Sequence, residues 1–237
     1  MMRLELAGVH YTYPGGVRPA LENISCHIDT GEFVILVGRN GCGKSTLARV
    51  MAGLIEPASG SVKAQYSNPS AGLQPPPSVG ILLQNPDESL FTSSVAREIA
   101  WGLENRALPP AEMSRRVGEA LAVFGLTELA NRPLESLSDG QKQMAALAAL
   151  VTVEHQFYIL DEAAAYLDPY WRRRVSEAAR ELTARAGVLW ITSAPHPEIL
   201  PADRIWVMHR GKLATDGKAG EILKLGNLSH FLNRTQR

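Results

Sequence analysis

The sequence holds only two cysteines, Cys26 and Cys42, in 237 residues. That is too few for a disulfide framework and fits thiols kept reduced as in a cytosol. No charge of one sign is in surplus, since Lys+Arg and Asp+Glu each number 24. No global field therefore favours nucleic acid or an anionic membrane surface. Long hydrophobic runs are missing as well. The longest, Met144 to Val153, falls well short of the ~20 residues of a membrane-spanning helix. Met1-Met2-Arg3-Leu4-Glu5 lacks the charged-then-apolar pattern of a secretory signal. The chain is accordingly expected not to cross a membrane. Disorder is excluded by 45% hydrophobic against 20% charged residues, and the length suits one large domain or two small ones.

Three apolar, β-branched stretches, Phe33–Val37, Phe157–Leu160 and Val188–Thr192, run without alternation. Such strands suit a parallel sheet covered on both faces. Shorter alternating stretches, Leu4–Val9, Ile24–Ile28, Ser61–Lys63, Val79–Leu83, Arg204–Met208 and Lys212–Ala214, predict half-buried or edge strands. Helices are expected over Lys44–Leu54, Val95–Glu104, Ala111–Phe124, Gln141–Val153, Tyr170–Ala186 and Ala219–Lys224. Strands alternating with helices predict an α/β domain. Its middle third, about 86–155, is almost purely helical and reads as a helical subdomain inserted in the α/β core. Pro69, Pro75, Pro76 and Pro77 lie in a polar stretch that reads as a surface loop.

The run Gly38-Arg39-Asn40-Gly41-Cys42-Gly43-Lys44-Ser45-Thr46 fits the phosphate-binding pattern G-x-x-x-x-G-K-S/T. Glycines let the backbone wrap closely, so that successive N–H groups and a helix N-terminus face phosphate. Lys44 would reach the β- and γ-phosphates and the Ser45 hydroxyl would ligate Mg²⁺. The pattern lies between an expected strand and an expected helix, the placement this chemistry requires. A second strand ends in Asp161-Glu162. After a phosphate loop this pair suits phosphoryl transfer, with Asp161 holding Mg²⁺ through water and Glu162 orienting or deprotonating the attacking water. Ser138-Asp139-Gly140-Gln141 reads as a capping box that starts a helix, and an open helix N-terminus also binds anions.

Taken together, these residues resemble the ATP-binding subunit of an ABC transporter, over roughly residues 1–225. Leu137–Gln143 is similar to the family signature LSGGQKQ, Gln84 falls where the family has its Q-loop glutamine, and Ala165-Tyr166-Leu167-Asp168 resembles the D-loop. Tyr13 lies where the family places an aromatic that stacks on adenine, and it also reads as a half-buried strand aromatic. Gln84-Asn85-Pro86-Asp87 followed by Leu90-Phe91 resembles the Q-N-P-D-x-x-L-F stretch of energy-coupling-factor importers, which take up vitamins or cobalt and nickel. The resemblance implies a single ABC ATPase domain over 1–237, of P-loop NTPase type, with an antiparallel β edge region and a helical subdomain. It implies ATP and Mg²⁺ as cofactors and a head-to-tail pairing with a second ATPase subunit, a copy or a paralogue. It further implies a transmembrane coupling subunit, a substrate-binding membrane subunit, no nucleic acid, and a peripheral place on the cytoplasmic face of the membrane. Gly38, Arg39, Asn40, Gly41, Cys42, Gly43, Lys44, Ser45, Thr46 and Tyr13 would hold the chain's own nucleotide. Ser138, Asp139, Gly140 and Gln141 would close over the partner's. Ser45, Gln84 and Asp161 would serve the metal, and Glu162, Gln84 and Ser193 would fill the catalytic positions. Leu90 and Phe91 would be apolar contacts to the membrane partner.

The chain departs from the pattern in several places. Asp139 stands where the signature has glycine. A carboxylate about 6 Å from a phosphate charge at an effective dielectric of ~20 costs roughly 3 kcal/mol; alternatively, Asp139 points to solvent and complements the helix dipole. Ile191-Thr192 is followed by Ser193 where the family has a switch histidine, and His196 comes three residues late, up to ~10 Å away in an extended chain. Ala163-Ala164 replace Pro-Thr, and Tyr166 replaces the D-loop glycine. These departures point to one member of an asymmetric pair. Two other readings stand beside it: a regulatory subunit that binds nucleotide without hydrolysing it, and an ABC ATPase of nucleic-acid repair or translation, which the neutral charge and single nucleotide-binding domain disfavour.

Overall fold

The computed structural model describes residues 1–66, 77–165, 167–194 and 202–224. Pro69, Pro75, Pro76, Tyr166 and His196 lie outside these. The chain folds as two compact units.

The first unit comprises Met1–Ile81, Gln156–Glu162 and the chain from Arg173 onward. Strands β1 (Met2–Tyr11), β2 (Leu21–Asp29) and β4 (Ser59–Tyr66) form an antiparallel sheet in the order β2-β1-β4. Leu4 and Leu6 of β1 and Ile24, Cys26 and Ile28 of β2 point inward at period two, as expected of a sheet covered on one face, and Val9, also buried, follows a register shift in β1 after Leu6. The second sheet runs β5-β6-β7-β3-β8-β9, with β3 (Phe33–Gly38), β5 (Val79–Leu82), β6 (Phe157–Asp161), β7 (Gly187–Thr192), β8 (Arg204–His209) and β9 (Lys212–Lys218). Pairs β6–β7, β7–β3 and β3–β8 are parallel, while β9 closes the edge as an antiparallel hairpin. Every residue of β3, β6 and β7 is buried, which is why their sequences run apolar without alternation.

Helix α1 (Lys44–Met51) follows β3 and packs Leu47, Val50 and Met51 into a core shared with Leu4, Leu6, Ile24, Leu36, Ile191 and Met208. It ends three residues before the expected Leu54. Gly53 takes φ +73°, and the amides of Gly53 and Leu54 bond back to the carbonyls of Val50 and Arg49, a Schellman closure that only a left-handed residue completes cheaply. Helix α5 (Pro169–Leu182) likewise stops short of the expected Ala186, because residues 183–186 turn tightly onto the carbonyls of 180–182. Both cysteines are buried, and burial pushes the Cys26 thiol up to about 12. They are packing residues rather than nucleophiles.

The second unit, Leu82–His155 with Ala163–Arg172, is built on α2 (Val95–Glu104), α3 (Pro110–Val123) and α4 (Asp139–Thr152). Val95, Ile99 and Leu103 of α2 and Met144, Leu147 and Ala148 of α4 form buried stripes at helical spacing. Helix α4 begins with the expected capping box: Ser138 Oγ accepts from the Gln141 amide at 3.3 Å, and Gln141 Oε1 accepts from the Ser138 amide at 3.0 Å. Gly125 lies under the Trp171 indole with φ +65°, where an added Cβ would meet Trp171 Cη2 at 2.5 Å. Gly125→Ala is therefore expected to destabilise by about 1–3 kcal/mol from overpacking and backbone strain, read as a melting point lowered by about 2–4 °C per kcal/mol. Among the described residues, no helix is long and apolar enough to cross a membrane.

Candidate nucleotide site

The register of the central strands places the expected catalytic residues at one edge. Val37 pairs with Thr192, and Asp161 pairs with Ile191. Gly38, Asp161 and Thr192 therefore terminate neighbouring parallel strands at their carboxyl ends, the edge where open α/β sheets bind ligands.

The loop between β3 and α1 is shaped by contacts that exclude side chains at two glycines. A Cβ on Gly38 would sit 2.5 Å from the Met208 carbonyl oxygen and 2.6 Å from Cys42 Sγ. Gly43, with φ +108°, would place a Cβ 2.4 Å from the Ala20 carbonyl oxygen. The loop thus closes tightly and delivers the chain into α1 with no side-chain cap and no acidic residue in the first turn. Its uncapped N–H groups and the positive end of the helix dipole are suited to an anion. Lys44 is only 6% exposed, and its Nζ donates to the carbonyls of Gly38 at 2.8 Å and Arg39 at 3.3 Å. The lysine therefore braces the loop as well as offering charge, a role that the motif alone does not reveal. Arg39, Asn40 and Gly41 are exposed at the loop's tip, while Cys42, Lys44 and Thr46 are buried.

Asp161, 2% exposed, carries a carboxyl whose pKa burial raises above the ordinary Asp value, while a hydrogen bond from Ser45 and the charge of Lys44 pull the other way. Its Oδ1 is buried with no hydrogen-bond partner. An orphaned buried carboxylate oxygen beside a hydroxyl fits a hard cation such as Mg²⁺, which takes oxygen ligands and keeps water in its shell. Glu162 takes φ +52°, a left-handed conformation costly for a residue with a side chain. Its amide donates to Ile191 O at 2.9 Å, and its carboxylate is held by β7: Oε1 accepts from the Ser193 amide at 2.7 Å, and the Thr192 hydroxyl lies 3.3 Å from Oε2. Ser193 thus meets Glu162 through its backbone. Thr192, which the sequence does not single out, orients the same carboxylate; its only signal is its place at the end of an apolar strand. The Tyr13 hydroxyl lies 3.1 Å from Thr46 Oγ1 and its ring stands edge-on to Tyr11, so it is an exposed aromatic attached to α1.

The remaining expected residues belong to the second unit. Gln84 is exposed, just beyond β5. Ser138 and Asp139 are exposed at the start of α4, and Gly140 and Gln141 are half-buried. Asp139 occupies the first helical position, where a carboxylate complements the helix dipole. Lys142, in the same turn, reaches Asp87 with Nζ–Oδ1 2.7 Å and thereby ties the segment after Gln84 to α4. A cavity of about 450 Å³ opens beside this N-terminus, lined by Leu126, Met144, Leu167 and Trp171 along with Ser138 and Gln141. Leu90 is half-buried, whereas Phe91 is 66% exposed and stands edge-on to Trp101, itself 42% exposed.

Residues 21–165 match the family model described as ABC transporter. The chain is 39% identical over 228 residues to an energy-coupling factor transporter ATP-binding protein of Enterococcus faecium, covering 94% of this chain and 81% of that protein. It is 39% identical over 222 residues to the corresponding protein of Lacticaseibacillus paracasei, covering 92% and 80%. The solved structure of cbiO1 from Clostridium perfringens, part of the ABC transporter complex cbiONQ, superposes with TM-score 0.76 at 28% identity, covering 98% of this chain and 95% of that one. An ATP-binding cassette solved as a dimer with ADP and Pi shares the fold with TM-score 0.80 at 22% identity, covering 92% of this chain and 99% of that one. The chain belongs to the ABC transporter family, as an ABC ATPase of the kind found in energy-coupling factor transporters.

Proposed function

We propose that the chain binds MgATP at the β3–α1 loop and couples its hydrolysis to an energy-coupling-factor importer, with its two units acting as one ATPase domain. The observation that carries this reading is the placement of the glycine-bounded loop at the carboxyl end of β3 and of Asp161 and Glu162 at the carboxyl end of β6, on either side of β7 in one sheet. The amides of Gly38 to Thr46 and the Lys44 ammonium bind phosphate, and Tyr13 stacks on adenine. Ser45 and Asp161 would hold Mg²⁺, which when bound would neutralise charge on the transferring phosphoryl group. Glu162, aimed by Thr192 and Ser193, orients and deprotonates the attacking water.

In a head-to-tail pair with a second ATPase subunit, Ser138 to Gln141 close over the partner's nucleotide and the partner's signature segment closes over this chain's. Ser193, in place of the switch histidine, and Asp139, in place of the signature glycine, make this chain the degenerate member of that pair. Those same two residues favour the second reading, a regulatory subunit that binds ATP without cleaving it. Single-turnover ATP cleavage at this chain's own site, measured in the pair with its partner subunit, separates the two: product formed there supports hydrolysis, and bound uncleaved ATP supports the regulatory role.

Assembly involves a transmembrane coupling subunit and a substrate-binding membrane subunit, at the cytoplasmic face of the membrane. Half-buried Leu90 and exposed Phe91 are the contact, since an apolar patch of this kind is costly to leave in water. Replacing both by Ser is expected to lower the yield of the purified complex at least tenfold, about 1.5–3 kcal/mol being lost per buried apolar side chain, with ATP binding intact. Wild-type yield would overturn the docking assignment.

A further inference from the structure

Glu98 is a buried carboxylate, 3% exposed in the first turn of α2. A buried carboxylate is tolerated where its oxygens accept hydrogen bonds. Here Oε2 accepts from the backbone amides of Phe91 at 3.2 Å and Thr92 at 2.9 Å. This is not the usual helix cap. With Ser94 as the N-cap, a capping box would place its acid at Arg97 and return it to the Ser94 amide. Glu98 is one residue later and reaches past the cap to the segment before the helix. The Thr92 hydroxyl closes the same turn on the Ser94 carbonyl at 3.2 Å.

The consequence falls on Phe91. With its amide tied to the carboxylate, its ring stays out in solvent and meets Trp101 edge-on, at a centroid separation of 5.6 Å and an interplanar angle of 80°. Trp101 lies three residues beyond Glu98, so a single turn of α2 carries both the anchor of Phe91 and the ring against which it rests.

We propose that Glu98 is a positioning residue for engagement of the membrane partner: its buried carboxylate fixes the Phe91–Thr92 backbone so that Phe91 and Trp101 stand out as a preformed aromatic docking pair. Trp101 thereby joins Leu90 and Phe91 in the contact. The proposal rests on the docking reading above. Its physical content is preorganisation, since a segment already ordered loses less freedom on binding.

Amide hydrogen exchange on the full chain tests the anchor directly. Glu98→Leu fills the space but accepts no hydrogen bond, and exchange at Phe91 and Thr92 is expected to rise at least tenfold. Glu98→Gln keeps an acceptor oxygen and should stay within threefold of the natural chain. Affinity for the cognate transmembrane subunit in lipid nanodiscs should fall at least fivefold in Glu98→Leu and recover in Glu98→Gln. Binding of a fluorescent ATP analogue, within twofold in both, reports that the variants are folded. Should Glu98→Leu lose that binding, Glu98→Asp, one methylene short of its donors, is read with the same expectation. Unchanged exchange in these variants overturns the proposal. So does a Phe91→Ser variant that weakens the complex while Glu98→Leu leaves its affinity intact. A Phe91→Ser variant that leaves the affinity unchanged instead overturns the docking reading, and the engagement role of Glu98 falls with it.

Discussion

Lys44→Ala is expected to lower affinity for ATP at least 100-fold. A charge-assisted bond to phosphate contributes about 1.5–3 kcal/mol, and in the proposed site the lysine would make more than one such bond on turning from the loop to the β- and γ-phosphates. A fluorescent ATP analogue reads the loss directly, and affinity unchanged within twofold would sink the phosphate-loop assignment. The structure adds a second expectation. Because Nζ donates to the buried Gly38 carbonyl at 2.8 Å, its removal takes a donor from that carbonyl, at about 1–3 kcal/mol for a buried group left unsatisfied, whereas the Arg39 carbonyl keeps the Cys42 amide. The nucleotide-free variant should therefore melt several degrees lower, about 2–4 °C per kcal/mol. Lys44→Met, which keeps the apolar stem, should lose the same affinity with a smaller loss of packing.

This chain alone should hydrolyse ATP slowly. One missing preorganised donor to the transition state costs ~10²–10³ in rate, and Ser193 stands where an imidazole would polarise the γ-phosphate. The defect belongs in kcat, because Lys44, Ser45 and the loop amides, the groups proposed to bind nucleotide, are all present. The amide of residue 193 is 2.7 Å from Glu162 Oε1, so the residue begins beside the carboxylate proposed as the base. Ser193→His is expected to raise turnover at this chain's own site at least tenfold, measured in the pair with a partner subunit. Asp139→Gly, made separately, should raise turnover at the partner's site, which Asp139 would approach in the proposed head-to-tail pair. The double variant should combine both gains. A homodimer of the unaltered chain turning over at roughly 1–10 s⁻¹ would overturn the degenerate-site reading.

The chemistry of this protein is concentrated in short contiguous runs, and those the sequence determined by itself. Gly38 to Thr46 is a local motif whose glycines, lysine and hydroxyl are adjacent because one loop wraps one anion. Phe33–Val37, Phe157–Leu160 and Val188–Thr192 are legible as buried parallel strands because burial on both faces leaves no polar alternation. The α4 capping box is likewise local, spanning Ser138 to Gln141. Even the end of α1, three residues earlier than its apolar pattern suggests, has a local cause in Gly53. What the tertiary structure alone decided are the meetings between distant residues. Glu162 and Ser193 are 31 residues apart and touch only because β6 pairs with β7. Trp171 needs a glycine at position 125 because two segments of the second unit cross there, and Lys142 finds Asp87 across 55 residues. Glu98 sits near Phe91 in sequence, yet its role was hidden, because a glutamate within a helix reads as a solvated residue until burial removes the water. Motifs are set by local backbone geometry and so appear in sequence, whereas the partners that aim a carboxylate or brace a loop are set by strand register and packing.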